Sequence, residues 1–232
     1  MDRLAHLEVV TAAFLRDLEG VDPLAHCADI RWTTNELAAH LGAVHRWAAA
    51  NVITGKRNPR DNVPSIEVSA VEWYSESRTE LLRVLHDVPA DTPCYTLSRA
   101  NRSAGFWHRR QLFETLVHLW DLRSAADASA PAPDEVPPSV HADGVAELFD
   151  VFLPRAGVLA PLGGTIELVA TDTGDRWTFG NDWQRDGGEE PTATVTATAG
   201  ELLLWVWNRG PALPFSGDEA LVERFVKARL RP

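Results

Sequence analysis

Glu114 and His118 stand four residues apart in Arg110-Gln111-Leu112-Phe113-Glu114-Thr115-Leu116-Val117-His118-Leu119-Trp120-Asp121. On a helix, that spacing stacks a carboxylate and an imidazole on one face, with Cβ atoms about 5–6 Å apart. Such a pair can chelate one divalent metal ion. Far upstream, Trp32-Thr33-Thr34-Asn35-Glu36-Leu37-Ala38-Ala39-His40-Leu41 places another histidine inside a second helix. Three ligands, His40 with Glu114 and His118, would leave coordination positions open, as a catalytic metal requires.

Each of these residues also has a plainer reading. His40 is in phase with Leu37, Val44 and Trp47, so it points inward, and it can be a core histidine bonded to a backbone carbonyl. His45 is five residues on, about 140° around the helix, and is expected toward the flank. Glu114 can be satisfied by Arg110 one turn earlier, or by water, in place of a metal. Asp121 with Arg123 reads as a surface pair. His108-Arg109-Arg110 reads either as an anion-binding cluster or as a solvated basic face. Trp205 and Trp207 read as core, and Arg209 after them as a cation complementing a helix C-terminus. No phosphate loop, nucleophile elbow or dinucleotide fingerprint occurs.

The elements that must position these residues are legible. Leu4, Leu7, Thr11, Phe14, Leu15 and Leu18 form the inward stripe of a first helix over about 2–18. Thr33-Thr34-Asn35-Glu36 fits a capping box that opens a second helix, which continues to about Val52 and stops before Thr54-Gly55-Lys56. Ser69-Ala70-Val71-Glu72 repeats that pattern ahead of a third helix, and a fourth runs over about 103–126. Four helices of this length make a bundle. Residues 125–138, rich in Ala and Pro, read as a linker. A short helix over about 139–152 follows, broken by Pro154. The pattern then changes to strands over 164–171, 176–179 and 192–198, with a turn at 172–175, and helices over 199–207 and 218–230. The expected division is a helical domain over 1–153 and a smaller α+β domain over 154–232.

Composition narrows the classes. The 232 residues suffice for one large or two small domains. A net charge of −11 argues against a nucleic-acid partner. No apolar run reaches membrane-spanning length, and the N-terminus lacks a signal-peptide core, so a cytoplasmic location is expected. Cys27 and Cys94 are read as two reduced thiols. The 20 Arg against 2 Lys is the bias of a GC-rich genome, actinobacterial ones among them.

At Trp32-Thr33, Ala39-His40-Leu41 and Glu114-x-x-x-His118 with Asp121 shortly after, the chain resembles the mycothiol-dependent maleylpyruvate isomerase family, a branch of the DinB-like metalloproteins. The resemblance implies a DinB-like four-helix bundle followed by a small α+β domain of sterol-carrier-protein-like fold. It carries the family's metal ligands onto His40, Glu114 and His118, with zinc as the implied metal and mycothiol as the implied thiol cofactor. The implied chemistry is reversible addition of a thiolate to a cis double bond, rotation, and expulsion to the trans isomer. The substrate would be a small electrophile or anion. Leu204-Trp205-Val206-Trp207-Asn208-Arg209 and Gly217-Asp218 match the family's C-terminal pattern loosely, which makes Arg209 a candidate clamp for a substrate carboxylate at a site shared by the two domains. The alternatives are a mycothiol S-transferase acting on other electrophiles, or a non-catalytic metal-binding or regulatory helical module. A monomer or homodimer is expected.

Overall fold

The structure, a computed structural model, describes residues 1–60, 69–186, 190–228 and 230. It divides into two compact units, Met1–Val136 and Pro137–Pro232.

The first unit is built on α1 (Arg3–Gly20), α2 (Thr34–Thr54), α3 (Ala70–Asp87) and α4 (Gly105–Ser124). Each helix packs on two others: α1 on α3 and α4, α2 on α3 and α4. This is the four-helix bundle that the apolar periodicity predicts. Leu7, Phe14, Leu37, Leu81, Phe113 and Leu116 are among the fully buried side chains at its centre.

The start of α2 is fixed by its own sequence. Thr33 Oγ1 accepts from the Glu36 backbone N–H, and Glu36 Oε2 accepts from the Thr33 N–H at 2.8 Å, so the capping box is closed. Gly55 ends the helix in the left-handed conformation, φ 69°. The matching expectation at Ser69 is not met: its side chain makes no cap hydrogen bond. Residues 125–136 are less of a linker than their composition suggests. Trp120 Nε1 donates to the Ala130 carbonyl, and Arg123 is paired with Glu135, which ties the segment to α4.

The second unit opens with α5 (Pro138–Glu147), continues through a π-helical turn (Leu148–Phe152), and stops at a 3₁₀ turn that contains Pro154. The expected break between residues 153 and 154 therefore differs from the observed one. Pro138 occupies the first turn of α5, where a missing N–H costs nothing, and α5 packs on α6 (Ala199–Val206) of its own unit. The sheet has the order β2-β1-β3-β4, from β1 (Ile166–Ala170), β2 (Arg176–Phe179), β3 (Ala193–Ala197) and β4 (Phe215–Gly217). The β1–β2 hairpin is antiparallel and β1–β3 parallel. Ile166, Leu168 and Ala170 alternate into the core, as do Ala193, Val195 and Ala197. The three-residue edge strand β4 carries no sequence signal of its own. The last helix, α7 (Glu219–Lys227), is capped by Asp218 and ends before the expected 230; Arg229 lies outside the described residues. No helix among the described residues is long and apolar enough to cross a membrane.

Candidate metal centre

His40 reaches the site from the second turn of α2, and Glu114 and His118 reach it from one face of α4. Each offers one ligand atom, and the three atoms lie within 4.8 Å of one another. Glu114 Oε1 is 3.5 Å from Nε2 of His40 and 3.5 Å from Nε2 of His118. Ligands bonded at about 2.1 Å to a tetrahedral ion stand roughly 3.4 Å apart. Both Glu114–histidine separations match that value and the third is no more than 4.8 Å, so two imidazole nitrogens and one carboxylate oxygen suit a zinc-type cation with a position left open once the group closes slightly around it.

The rings are held from behind. His118 Nδ1 is 2.8 Å from Asp121 Oδ2, which fixes a proton on Nδ1 and turns Nε2 toward Glu114. The Trp32 ring lies 4.5 Å from the His40 ring, and the His40 and His118 rings meet edge to face at 5.3 Å. Trp32 is itself anchored next to the capping box, where its carbonyl accepts from the Cys27 N–H. Glu114 Oε2 accepts from Arg110 Nη2 at 2.6 Å.

These contacts set the charge states. Burial opposes ionisation of Glu114, but the Arg110 guanidinium and the hydrogen bonds from His118 and His40 overcome it and hold the carboxyl well below its usual range. Burial also opposes the charge on His118, yet hydrogen bonds to Asp121 and Glu114 raise it to about 9, so the metal-free site keeps a proton there at neutral pH.

Several sequence expectations are corrected here. Asp121 and Arg123 are no surface pair: Asp121 is completely buried against His118, and Arg123 bonds Asp17 and Glu135. Arg110 does not belong to a solvated basic face, being 4% exposed. His45 is not at the flank. It is fully buried, with Nδ1 2.7 Å from Gln111 Oε1, and burial lowers its pKa to about 4. His40, expected to point inward, is the more open of the two histidines and the one that joins the cluster. Both cysteines are buried and outside any disulfide, and neither belongs to the His40, Glu114 and His118 cluster. Arg209 lies in the second unit, past the end of α6, where its Nη1 donates to the Trp207 carbonyl at 2.7 Å. The Arg110 partner that the sequence offers Glu114 in place of a metal is present, and it sits beside the three-residue cluster. What sequence reasoning missed is Asp121 as the partner of His118; the signal was their i, i+3 spacing.

The mycothiol maleylpyruvate isomerase N-terminal domain model matches residues 4–123, and the C-terminal domain model of the same family matches residues 139–224. The chain belongs to the mycothiol maleylpyruvate isomerase family. The first match spans the whole ligand set, and the two matches flank the division between the units. Among solved structures, the chain is similar to the mycothiol-dependent maleylpyruvate isomerase, with a TM-score of 0.63 and 16% identity over 94% of this chain and 93% of that one. A histidine-to-alanine mutant of a mycothiol-dependent maleylpyruvate isomerase gives a TM-score of 0.64 at the same identity and coverage. At that identity the likeness is one of fold. No curated protein sequence matches the chain.

Proposed function

We propose that the chain is a divalent-metal enzyme that uses a low-molecular-weight thiol, mycothiol, for cis–trans isomerisation of a maleylpyruvate-type substrate. The observation that carries this reading is the convergence of His40, Glu114 and His118 within 4.8 Å, with Asp121 orienting one of the three from a buried position. Family membership supplies the thiol and the reaction class. In this reading the bundle is DinB-like, the second unit is sterol-carrier-protein-like, and the metal is zinc.

A cation bound at this site would supply Lewis acidity, which keeps a sulfur ligand in its thiolate form near neutral pH. The chain's own residues do the rest. Asp121 keeps the His118 proton on Nδ1 and its Nε2 available. Arg110 holds one oxygen of Glu114 and leaves the other toward the histidines. Trp32 covers His40 and restricts the ring's rotation. Cys27 and Cys94 are spectators, because both are buried and burial pushes the Cys94 thiol away from ionisation. Arg209 is proposed as the clamp for a substrate carboxylate.

The test is elemental analysis of protein purified without chelator, followed by ultraviolet assay of maleylpyruvate isomerisation with and without mycothiol. One metal per chain and thiol-dependent turnover are expected. No metal at purification together with no uptake of added zinc would overturn the metal reading. Stable thiol adducts of other electrophiles, with no isomer formed, would replace the isomerase reading by an S-transferase.

A further inference from the structure

Glu114 serves two partners with two different oxygens. Oε1 faces Nε2 of His40 and of His118, each at 3.5 Å, while Oε2 takes the 2.6 Å hydrogen bond from Arg110 Nη2. Arg110 is 4% exposed and sits one turn before Glu114 on the same helix. A carboxylate can bind a metal through one oxygen or both, and its terminal torsion is soft, so some other group must choose between the two modes. A buried, planar guanidinium directed at one oxygen makes that choice. It anchors Oε2, and two-oxygen binding would pull that oxygen away from a charge that has little water to replace it.

We propose that Arg110 is a positioning residue that restricts Glu114 to a single metal bond through Oε1 and so preserves an open coordination position for the thiol. The inference rests on the metal reading given above and adds to it the device that keeps the site unsaturated. Lysine would substitute only in part, because its compact, strongly hydrated ammonium on a flexible stem is less well held against Oε2 in a buried position than a guanidinium. The competing picture is that Arg110 merely neutralises Glu114 in the metal-free fold and releases it when a cation enters.

Two measurements separate these pictures. The first uses the wild-type protein: the infrared difference spectrum between its zinc-loaded and metal-free forms. A wide splitting of the carboxylate stretches is expected, the mark of one-oxygen ligation; a narrow splitting would overturn the assignment. The second compares cobalt-loaded wild type, Arg110→Lys and Arg110→Met. The visible ligand-field band should be intense in the wild type and weaken severalfold in Arg110→Met as Glu114 adds its second oxygen, with Arg110→Lys between them. Zinc affinity of Arg110→Met should fall on the order of 10–100-fold, the usual effect of losing an outer-sphere partner. An Arg110→Met band and affinity equal to the wild type's would overturn the proposal. If Arg110→Met does not fold, the wild-type infrared splitting decides alone. Wild-type protein that takes up neither zinc nor cobalt sinks the metal reading and this inference together; uptake with a narrow splitting sinks this inference only.

Discussion

Asp121 shows what one buried residue contributes to the site. It is fully buried and its Oδ2 lies 2.8 Å from His118 Nδ1, so Asp121→Asn keeps the shape and removes the charge that favours the Nδ1 proton. Metal affinity, measured by chelator competition, should fall on the order of 10–100-fold with the helical content unchanged; an unchanged affinity would make Asp121 a packing residue. The same contact gives the metal-free protein a pH profile. The folded-state pKa of His118 is raised to about 9, so its stabilising contribution is fully present below its unfolded value near 6.5 and is lost as pH rises through about 9. His45, buried with its pKa lowered to about 4, acts on the other side. The unfolded chain takes up a proton that the folded chain refuses, so stability is lost as pH falls from about 6.5 toward 4. Chemical denaturation of the metal-free protein should therefore show a maximum between about pH 6 and 7, with losses on the order of 3 kcal/mol on either side from these two groups. Zinc affinity should run the other way over the upper limb, rising about tenfold per pH unit until His118 has lost its proton. Zinc affinity flat from pH 6 to 9 would show that His118 does not hold the proton assigned to it.

At the scale of elements, the sequence was most readable where a signal is local. The capping box at Thr33 and Glu36, the β1–β2 hairpin and the bundle itself follow from short patterns, and all are present. The two Ser/Thr-x-x-Glu patterns nevertheless behave differently, which gives a paired test. Thr33→Ala should cost about 1 kcal/mol because a closed box is lost, whereas Ser69→Ala should leave the denaturation midpoint nearly unchanged because no cap bond exists there. Equal losses in both variants would contradict the assignment. What could not be read is the rotation of α2 and α4. Both are buried over most of their circumference: Leu37, Ala38, Ala39 and Leu41 are all buried on α2, and residues 115–122 are all buried on α4. A helix covered on several sides has no single stripe from which phase can be taken. That is why the sequence points His45 to the flank and pairs Asp121 with Arg123, against the buried positions both occupy. The proposed ligands rest on the phase of His40, the i, i+4 pair and the resemblance. The three side chains do converge, but the phase argument, which needs a single apolar face, points His40 into the core and His45 to the flank, and only the other two grounds are independent of it.

At the scale of the whole molecule, every residue assigned to the metal centre lies in Met1–Val136, and Arg209 alone lies in Pro137–Pro232. The roles should divide in the same way. The first unit expressed alone has its own buried core and all three proposed ligands, so it should fold and bind one zinc with affinity close to that of the full chain, read by chelator competition. If it folds and binds no zinc, residues of the second unit are needed to complete the ligand set. In the full chain, Arg209→Ala should keep metal content and melting temperature while weakening use of an anionic substrate. The contact that argues against a substrate role is the hydrogen bond from Nη1 to the Trp207 carbonyl at 2.7 Å. If that helix-end contact is all Arg209 does, its loss costs about 0.3–1 kcal/mol and leaves turnover alone. A carboxylate clamp predicts the opposite split: a melting temperature within error of the wild type, with a raised KM for the anion or a lowered kcat. Steady-state kinetics and a melting curve on one variant thus discriminate the two roles, and wild-type turnover with a lowered melting temperature would make Arg209 a structural cap.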